Sequence, residues 1–274
     1  MGFSVNTNAG ALAALRTLGA TTALLRIAQN QITTGLKVSS AKDNGATFAI
    51  AQRLRGDVAG LNAVKGSLDR ASSTVDVALA ASEAVSDLLI ELKEKAVAAS
   101  DAGLDTASRT AINQDFLALR DQITSIVNNA SFNGTNAVNG TGTISAITNA
   151  NGSNSISIAS QNLSLSGGTV LITTTQSIST ATLAAAAVTD IENSIANLNI
   201  SLSALGSGAN RLDLQRNFVN KLSDSIEVGI GNLVDADLAR VSANLQALQV
   251  RQQLGIQALA IANQAPTSIL SLFR

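Results

Sequence analysis

Asp235 and Asp237 are the nearest approach in this chain to a ligand pair or an acid–base pair. On a helix two carboxylates at that spacing diverge, and with no further donor beside them in sequence a divalent cation is poorly served. The chain has no His and no Cys. That removes the usual neutral-pH base, the thiolate nucleophile and two of the commonest metal ligands. A hydrolase working through paired carboxylates would have no positioned base and no pocket signature. The reading is therefore of a protein that is not an enzyme and needs no metal or cofactor. Glu91 and Lys95, four residues apart, fit a solvated helical ion pair. Asn129-Ala130-Ser131, Asn133-Gly134-Thr135 and Asn139-Gly140-Thr141 fit the N-glycosylation pattern.

The 274 residues are 46% hydrophobic, 14% charged and 2% aromatic, with 18 basic against 19 acidic side chains. A net charge of -1 gives no field to gather phosphates, so nucleic acid is not an expected partner. Near-neutrality leaves self-association unopposed. Residues 1–15 lack the basic start and apolar stretch of a cleavable secretion signal. The longest uninterrupted apolar run, Leu183 to Val188, is far short of the roughly 20 residues of a membrane span, so no membrane partner is expected.

The charges lie in 1–121 and 190–274, leaving 68 residues, Gln122 to Thr189, with none. Both extremities are sparsely charged. This near-mirror arrangement suggests that the two halves of the chain pair. Helical periodicity fills both arms. Leu54, Leu61, Leu68, Val75 and Leu89 fall on one seven-residue ladder broken at Ser82, with Ser40 and Asp43 as a capping-box start. A second helix is predicted from Asp105 to about Asn128, with Ile112, Phe116, Leu119, Ile123 and Ile126 on one side. From Ile191 to Leu233 steps of four and three (Ile195, Leu198, Leu202, Leu205, Ala209, Leu212, Arg216, Val219, Ser223, Ile226, Ile230) make a coiled-coil-like seam. Gly206 and Gly208 weaken it locally.

The ends repeat the pattern. Leu15, Leu18, Thr22, Leu25, Gln29, Ile32 and Leu36 form one seam, and Leu238, Val241, Leu245, Leu248, Gln252, Gly255, Leu259 and Ala262 another. Pro266 should disturb or end the last helix and leave Ile269 to Arg274 as a short apolar tail. In the uncharged stretch, Ile156 and Ile158, Leu163 and Leu165, and Val170 and Ile172 alternate at strand spacing, which predicts one or two exposed hairpins. The expected fold is mainly α: a long antiparallel coiled-coil or helical bundle made by the N- and C-terminal arms, with a small β-hairpin-rich central insert. Its expected segments are 1–43, a terminal helix and connector; 44–135, the first arm; 136–182, the insert; 183–237, the returning arm; and 238–274, a second terminal helix.

Several motifs in order resemble the bacterial flagellins. Asn6-Thr7-Asn8, Thr34-Gly35-Leu36-Lys37-Val38, Ser39-Ser40-Ala41-Lys42-Asp43-Asn44, Ala49-Ile50-Ala51 and Phe132-Asn133-Gly134 are similar to the family's N-terminal region. Asp235-Ala236-Asp237, Gln252-Gln253-Leu254-Gly255, Ala262-Asn263-Gln264-Ala265-Pro266 and Leu270-Ser271-Leu272-Phe273-Arg274 are similar to its C-terminal region. The resemblance covers roughly 3–135 and 185–274. It implies a structural subunit that polymerises into the flagellar filament for swimming motility. Its terminal helices would line the inner tube and the insert would face outward. On that reading Leu15, Leu18, Leu25, Ile32, Leu36, Leu238, Val241, Leu245, Leu248, Leu259, Leu270, Leu272 and Phe273 form the filament-core contacts. The implied partners are further copies of the chain, sister flagellins, the flagellar export apparatus and a chaperone, and hook-associated and cap proteins. The implied location is extracellular, reached through the flagellar type III channel without cleavage. Glycosylation of Ser or Thr in the insert is a further family-level implication. A hook-filament junction protein shares the terminal design and is the alternative reading.

The physical case for polymerisation also stands without the family. Residues 1–36 and 238–274 carry 24 large aliphatic, Phe or Met side chains among 73 residues, more than a two-helix seam can cover. Neighbouring copies would supply the remaining burial.

Overall fold

The structure, a computed structural model, describes residues 7–270, with side chains to residue 264. Among the described residues there are five helices, α1 (Ala9–Thr34), α2 (Gly45–Ser100), α3 (Thr106–Asn129), α4 (Ala181–Val234) and α5 (Leu238–Leu270). Between α3 and α4 lie β1 (Ser131–Phe132), β2 (Thr135–Asn136), β3 (Thr143–Ile147) and β4 (Ser155–Ala159). The strands pair antiparallel as β1 with β2 and β3 with β4. The fold is thus mainly helical, as the periodicity predicts. By its contacts the chain divides into two compact units, residues 57–224 and the two chain ends, 1–56 with 225–274.

In the unit of residues 57–224 the predicted α2 ladder is core. Leu61, Leu68, Val75, Ser82 and Leu89 are all buried, and a second ladder, Val64, Ala71, Ala78, Val85, Leu92 and Ala99, is buried beside it. Ser82 replaces an apolar residue at no cost in hydrogen bonding, because its hydroxyl donates to the Ala78 carbonyl at 2.7 Å. On α4 the predicted positions Ile191, Leu198, Leu205, Leu212 and Val219 are buried. Over 194–208 the intervening seam is displaced by one residue, while farther on the predicted Ser223 is buried in place. Ser194, Ser201 and Gly208 are buried, whereas Ile195, Leu202 and Ala209 are only half-buried. Arg216, on the predicted seam, is exposed and reaches Asp69 of α2 at 3.3 Å.

The displacement has a physical reason in the insert. Ile158 of β4 packs where Gly208 has no side chain: a Cβ there would lie 2.9 Å from Ile158 Cδ1 and Cγ2. Gly60 of α2 likewise admits Ala150, whose carbonyl oxygen would stand 2.6 Å from an added Cβ. The Ile147 amide donates to Ser67 Oγ at 3.2 Å, the Leu171 amide to Ser194 Oγ at 2.8 Å, and Gln215 Nε2 to the Thr148 carbonyl at 3.3 Å. Val138, Ile144, Ala146, Ile158, Leu163, Val170, Ile172 and Ile178 are buried. The insert therefore lies along the helices with one face of its hairpin inward. Only Ile156 and Ile158, of the three predicted pairs, sit on a strand. Leu165 and Val170 form an isolated bridge in a segment that is otherwise loop.

Helix α3 begins at Thr106, one residue after its predicted start, with Asp105 as its cap. Asp105 accepts from the Ser108 amide at 2.9 Å and from its hydroxyl at 2.6 Å, and these bonds, the hydroxyl first, hold its carboxyl below the ordinary value of 3.8. Phe116, Ile123 and Val127 are its buried face, so Ile112, Leu119 and Ile126 flank the core rather than centre it. Arg109 closes the C-terminal carbonyls of α2 at Ala99 and Asp101, at 3.0 and 2.7 Å. Lys95 does not serve Glu91 but donates to Asp115 of α3 at 2.8 Å. Lys93 meets Glu192 of α4 at 2.9 Å.

The two α4 glycines separate packing from propensity. Gly206 has open space around it, so Gly206→Ala should stabilise by about 0.5–1 kcal/mol. Gly208→Ala, two residues on, should lose that gain to the clash with Ile158 and loosen β3–β4. Urea unfolding of both variants, with hairpin amide exchange, is the measurement; equal stabilisation by both would contradict the packing described.

Candidate functional site

The surface to explain belongs to the unit formed by the chain ends, where α1 and α5 run antiparallel. Helix α1 starts at Asn8, whose Oδ1 accepts from the Ala11 amide at 3.0 Å, and stops at Gly35, whose φ of 72° closes the end with a bond from its amide to the Gln31 carbonyl. Its five threonines, Thr17, Thr21, Thr22, Thr33 and Thr34, donate to carbonyls four residues back at 2.7–3.0 Å. Their hydroxyls are satisfied within the helix, so its surface is more apolar than the composition suggests. By length and composition α1 could cross a bilayer, a property hidden from a search for uninterrupted apolar runs.

Helix α5 presents the predicted seam. Val241, Leu245, Leu248, Gln252, Gly255, Leu259 and Ala262 are half-buried, while Leu238 is 48% exposed. Helix α1 turns differently from its prediction. Leu18, Leu25 and Ile32 face inward as expected, but the alternate positions are Ala14, Thr21 and Ala28, one residue before the predicted Leu15, Thr22 and Gln29. Thr21, Leu25 and Ala28 are the buried residues of α1. Leu15 is 54% exposed. Sequence reasoning weighted large side chains and so missed the small ladder Ala14, Thr21 and Ala28, whose seven-residue spacing was the available signal. Small residues let the helices approach: a Cβ on Gly255 would stand 3.3 Å from Leu18 Cδ1.

Leu36 lies past the Gly35 stop and joins another cluster. The connector pairs with the α4–α5 junction through Leu36 and Asp235, with the Lys37 amide donating to the Val234 carbonyl at 2.7 Å and the Ala236 amide to the Gly35 carbonyl at 2.9 Å. Val38, Ala51 and Val234 are buried there, with Leu36, Phe48, Ile230 and Leu233 packed against them. Asp237 accepts from the Arg240 amide at 3.1 Å and so starts α5. Among the described residues no three His, Cys, Asp or Glu stand together. The predicted capping box also resolves differently. Asn44 caps α2, accepting from the Thr47 amide at 3.0 Å. Asp43 Oδ2 instead gathers the amides and hydroxyls of Ser39 and Ser40 at 2.9–3.2 Å. Of the remaining predicted contacts, Leu270 is the last residue of α5, and Leu272 and Phe273 lie outside the described residues. Helix α5 continues through Pro266 to Leu270, so the proline does not end it.

What the pairing leaves outside is large and apolar. Leu12, Leu15, Leu24 and Ile27 of α1 are 51–54% exposed, and Val250, Leu254, Ile256 and Ile261 of α5 are 54–69% exposed.

Family models match both ends of the chain: the bacterial flagellin N-terminal helical region over residues 5–143 and the C-terminal helical region over 188–273. The chain is 49% identical to Flagellin FljM of Caulobacter vibrioides over 272 residues, 99% of this chain and 98% of that one. It is 35% identical to a flagellin of Brucella melitensis over 286 aligned residues, 99% of each chain. A solved structure described as a flagellar hook-associated protein from Vibrio parahaemolyticus, 14% identical, has a TM-score of 0.57 over 70% of this chain and all of that one, a likeness of fold alone.

The Ser39 hydroxyl, followed by the Ser40 and Ser39 amides, lowers the Asp43 pKa below 3.8. A lowered carboxyl stabilises the fold above its unfolded value and loses that effect as pH falls through the folded one. Acidification from pH 5 to below 3.8 should therefore loosen the 39–43 turn. An NMR titration placing the Asp43 midpoint at or above 3.8 would contradict the bonds described.

Proposed function

Because this chain belongs to the bacterial flagellin family and is a subunit of the extracellular flagellar filament, we propose that its α1–α5 pair is the part that packs against neighbouring copies. The single observation supporting this is the set of large apolar side chains left half-exposed on the outer faces of α1 and α5. Covering them with another copy buries apolar area that the lone subunit leaves in water. A bilayer is the poorer cover for α1, because Arg16 and Arg26 lie well inside its 26 residues and each would cost about 2.5–3.5 kcal/mol near a bilayer centre.

On this reading the ends order fully only on assembly, as in coupled folding and binding. Leu15 and Leu238 then make contacts between subunits, while Leu18, Leu25, Ile32, Val241, Leu245, Leu248 and Leu259 hold the pair together within one. The assembled tube is rotated at its base for swimming. The chain reaches the outside through the flagellar export channel with a chaperone's help and meets sister flagellins, hook-associated proteins and the cap at its destination. Its lack of disulfides suits passage as an unfolded chain.

Leu24→Gln with Ile27→Gln should leave the monomer's unfolding nearly unchanged yet abolish seeded filament growth, or raise the soluble subunit concentration at least about 30-fold. Electron microscopy and sedimentation read the result. Normal growth of the double variant would refute the assignment of this face. Amide exchange should likewise show α1 and α5 far better protected in filaments than in monomer; equal protection would refute ordering on assembly.

A further inference from the structure

Pro266 carries no amide hydrogen, so within α5 the carbonyl four residues back, that of Ala262, has no helical donor. That oxygen accepts instead from Asn8 Nδ2 at 2.6 Å, across 254 residues of sequence. The other end of the same carboxamide is the α1 cap, with Oδ1 on the Ala11 amide. The helices are close at this level: a Cβ on Gly10 would lie 3.9 Å from the Ala262 Cβ.

We propose that Asn8 sets the axial register of α1 against α5 by donating to the carbonyl that Pro266 frees, so that one residue caps one helix and pins the other. The seam itself specifies register weakly, since Ala14, Thr21 and Ala28 repeat every seven residues with similar small side chains and a slip of two turns would present nearly the same face. The Lys37–Val234 and Ala236–Gly35 backbone bonds set the level at one end of the pair, and the Asn8 bond holds it at the far end. Among good capping residues, Asn supplies both needs at once: an acceptor for its own helix and an NH₂ donor for the neighbour. Asp caps equally well but cannot donate, and Ser has a single, shorter-reaching oxygen for both tasks. The inference rests on the proposed packing of the end helices only in its expectation for assembly.

The test is a double-mutant cycle in the full chain between Asn8→Ser or Asn8→Asp and Pro266→Ala. Alanine at 266 restores an amide to the Ala262 carbonyl and makes the Asn8 donor redundant. With Pro266 present, either Asn8 variant should raise the subunit concentration left soluble beside seeded filaments roughly five- to tenfold, Asp more than Ser. In the Pro266→Ala background the same changes should stay within about twofold. The same factor in both backgrounds, with no coupling in the amide exchange of α1 in the monomer either, would overturn the proposal. If an Asn8 variant does not assemble at all, its rescue by Pro266→Ala supports the proposal, and failure of that rescue overturns it. Amide exchange of α1 in the monomer separates the two readings. Coupling found there, but not in the soluble concentration, supports the register role and counts instead against ordering on assembly.

Discussion

Two helices that meet along one seam can bury only one face each, and in α1 every second position of that face is small. Ala14, Thr21 and Ala28 turn toward α5, Leu12 and Leu15 are exposed, and Leu24 and Ile27, also half-exposed, line a groove beside Val241 and Leu248 of α5. Leu18, Leu25 and Ile32 alternate with these small residues in the seam, whereas a self-sufficient coiled coil carries large apolar side chains at nearly every seam position. Small residues at alternate seam positions allow close approach of the backbones, and Leu12, Leu15, Leu24 and Ile27 remain 51–54% exposed. The threonine hydroxyls bond carbonyls of their own helix and so place no polar demand on a neighbour. On the proposed packing of the end helices, this distribution supplies a drive to assemble.

The unit of residues 57–224 solves its covering problem internally. Its two long helices carry double ladders of buried residues, and the insert lies over them where Gly60, Ser67, Ser194 and Gly208 make room. Buried hydroxyls find carbonyls or amides, and among the described residues no buried side-chain polar atom lacks a partner. The absence of charge from Gln122 to Thr189 follows from this placement, because a segment that packs against helices on one face gains little from ionised side chains there. Charges reappear where the helices need lateral ties, as in Lys93 with Glu192 and Lys95 with Asp115.

The helices, their order and the α5 seam were legible because apolar residues recur at steps of three and four over many turns, and the motifs at both ends were specific enough to mark the family. The α4 and α1 seams were each read one residue off at alternate positions. In both cases the periodicity was right and the choice between neighbouring positions favoured the larger side chain. That choice is made by what packs against the helix. Ile158 selects Gly208, and the close approach of α5 selects Ala14 and Ala28; neither partner is visible in local sequence. The Ser40–Asp43 motif was also real as a hydrogen-bonded turn but belonged to the connector, because Asn44 competes for the cap and holds it.

By itself the amino-acid sequence determined a mainly helical chain with paired ends, a neutral insert and no equipment for catalysis, since these depend on periodicity, composition and residue type. The tertiary structure alone decided which side of each helix is covered, that the insert is part of the core, and that Asn8 reaches the carbonyl four residues before Pro266. Each of these is a relation between residues far apart in the chain, fixed by steric fit and by the need of every buried polar group for a partner, and local pattern carries no record of either.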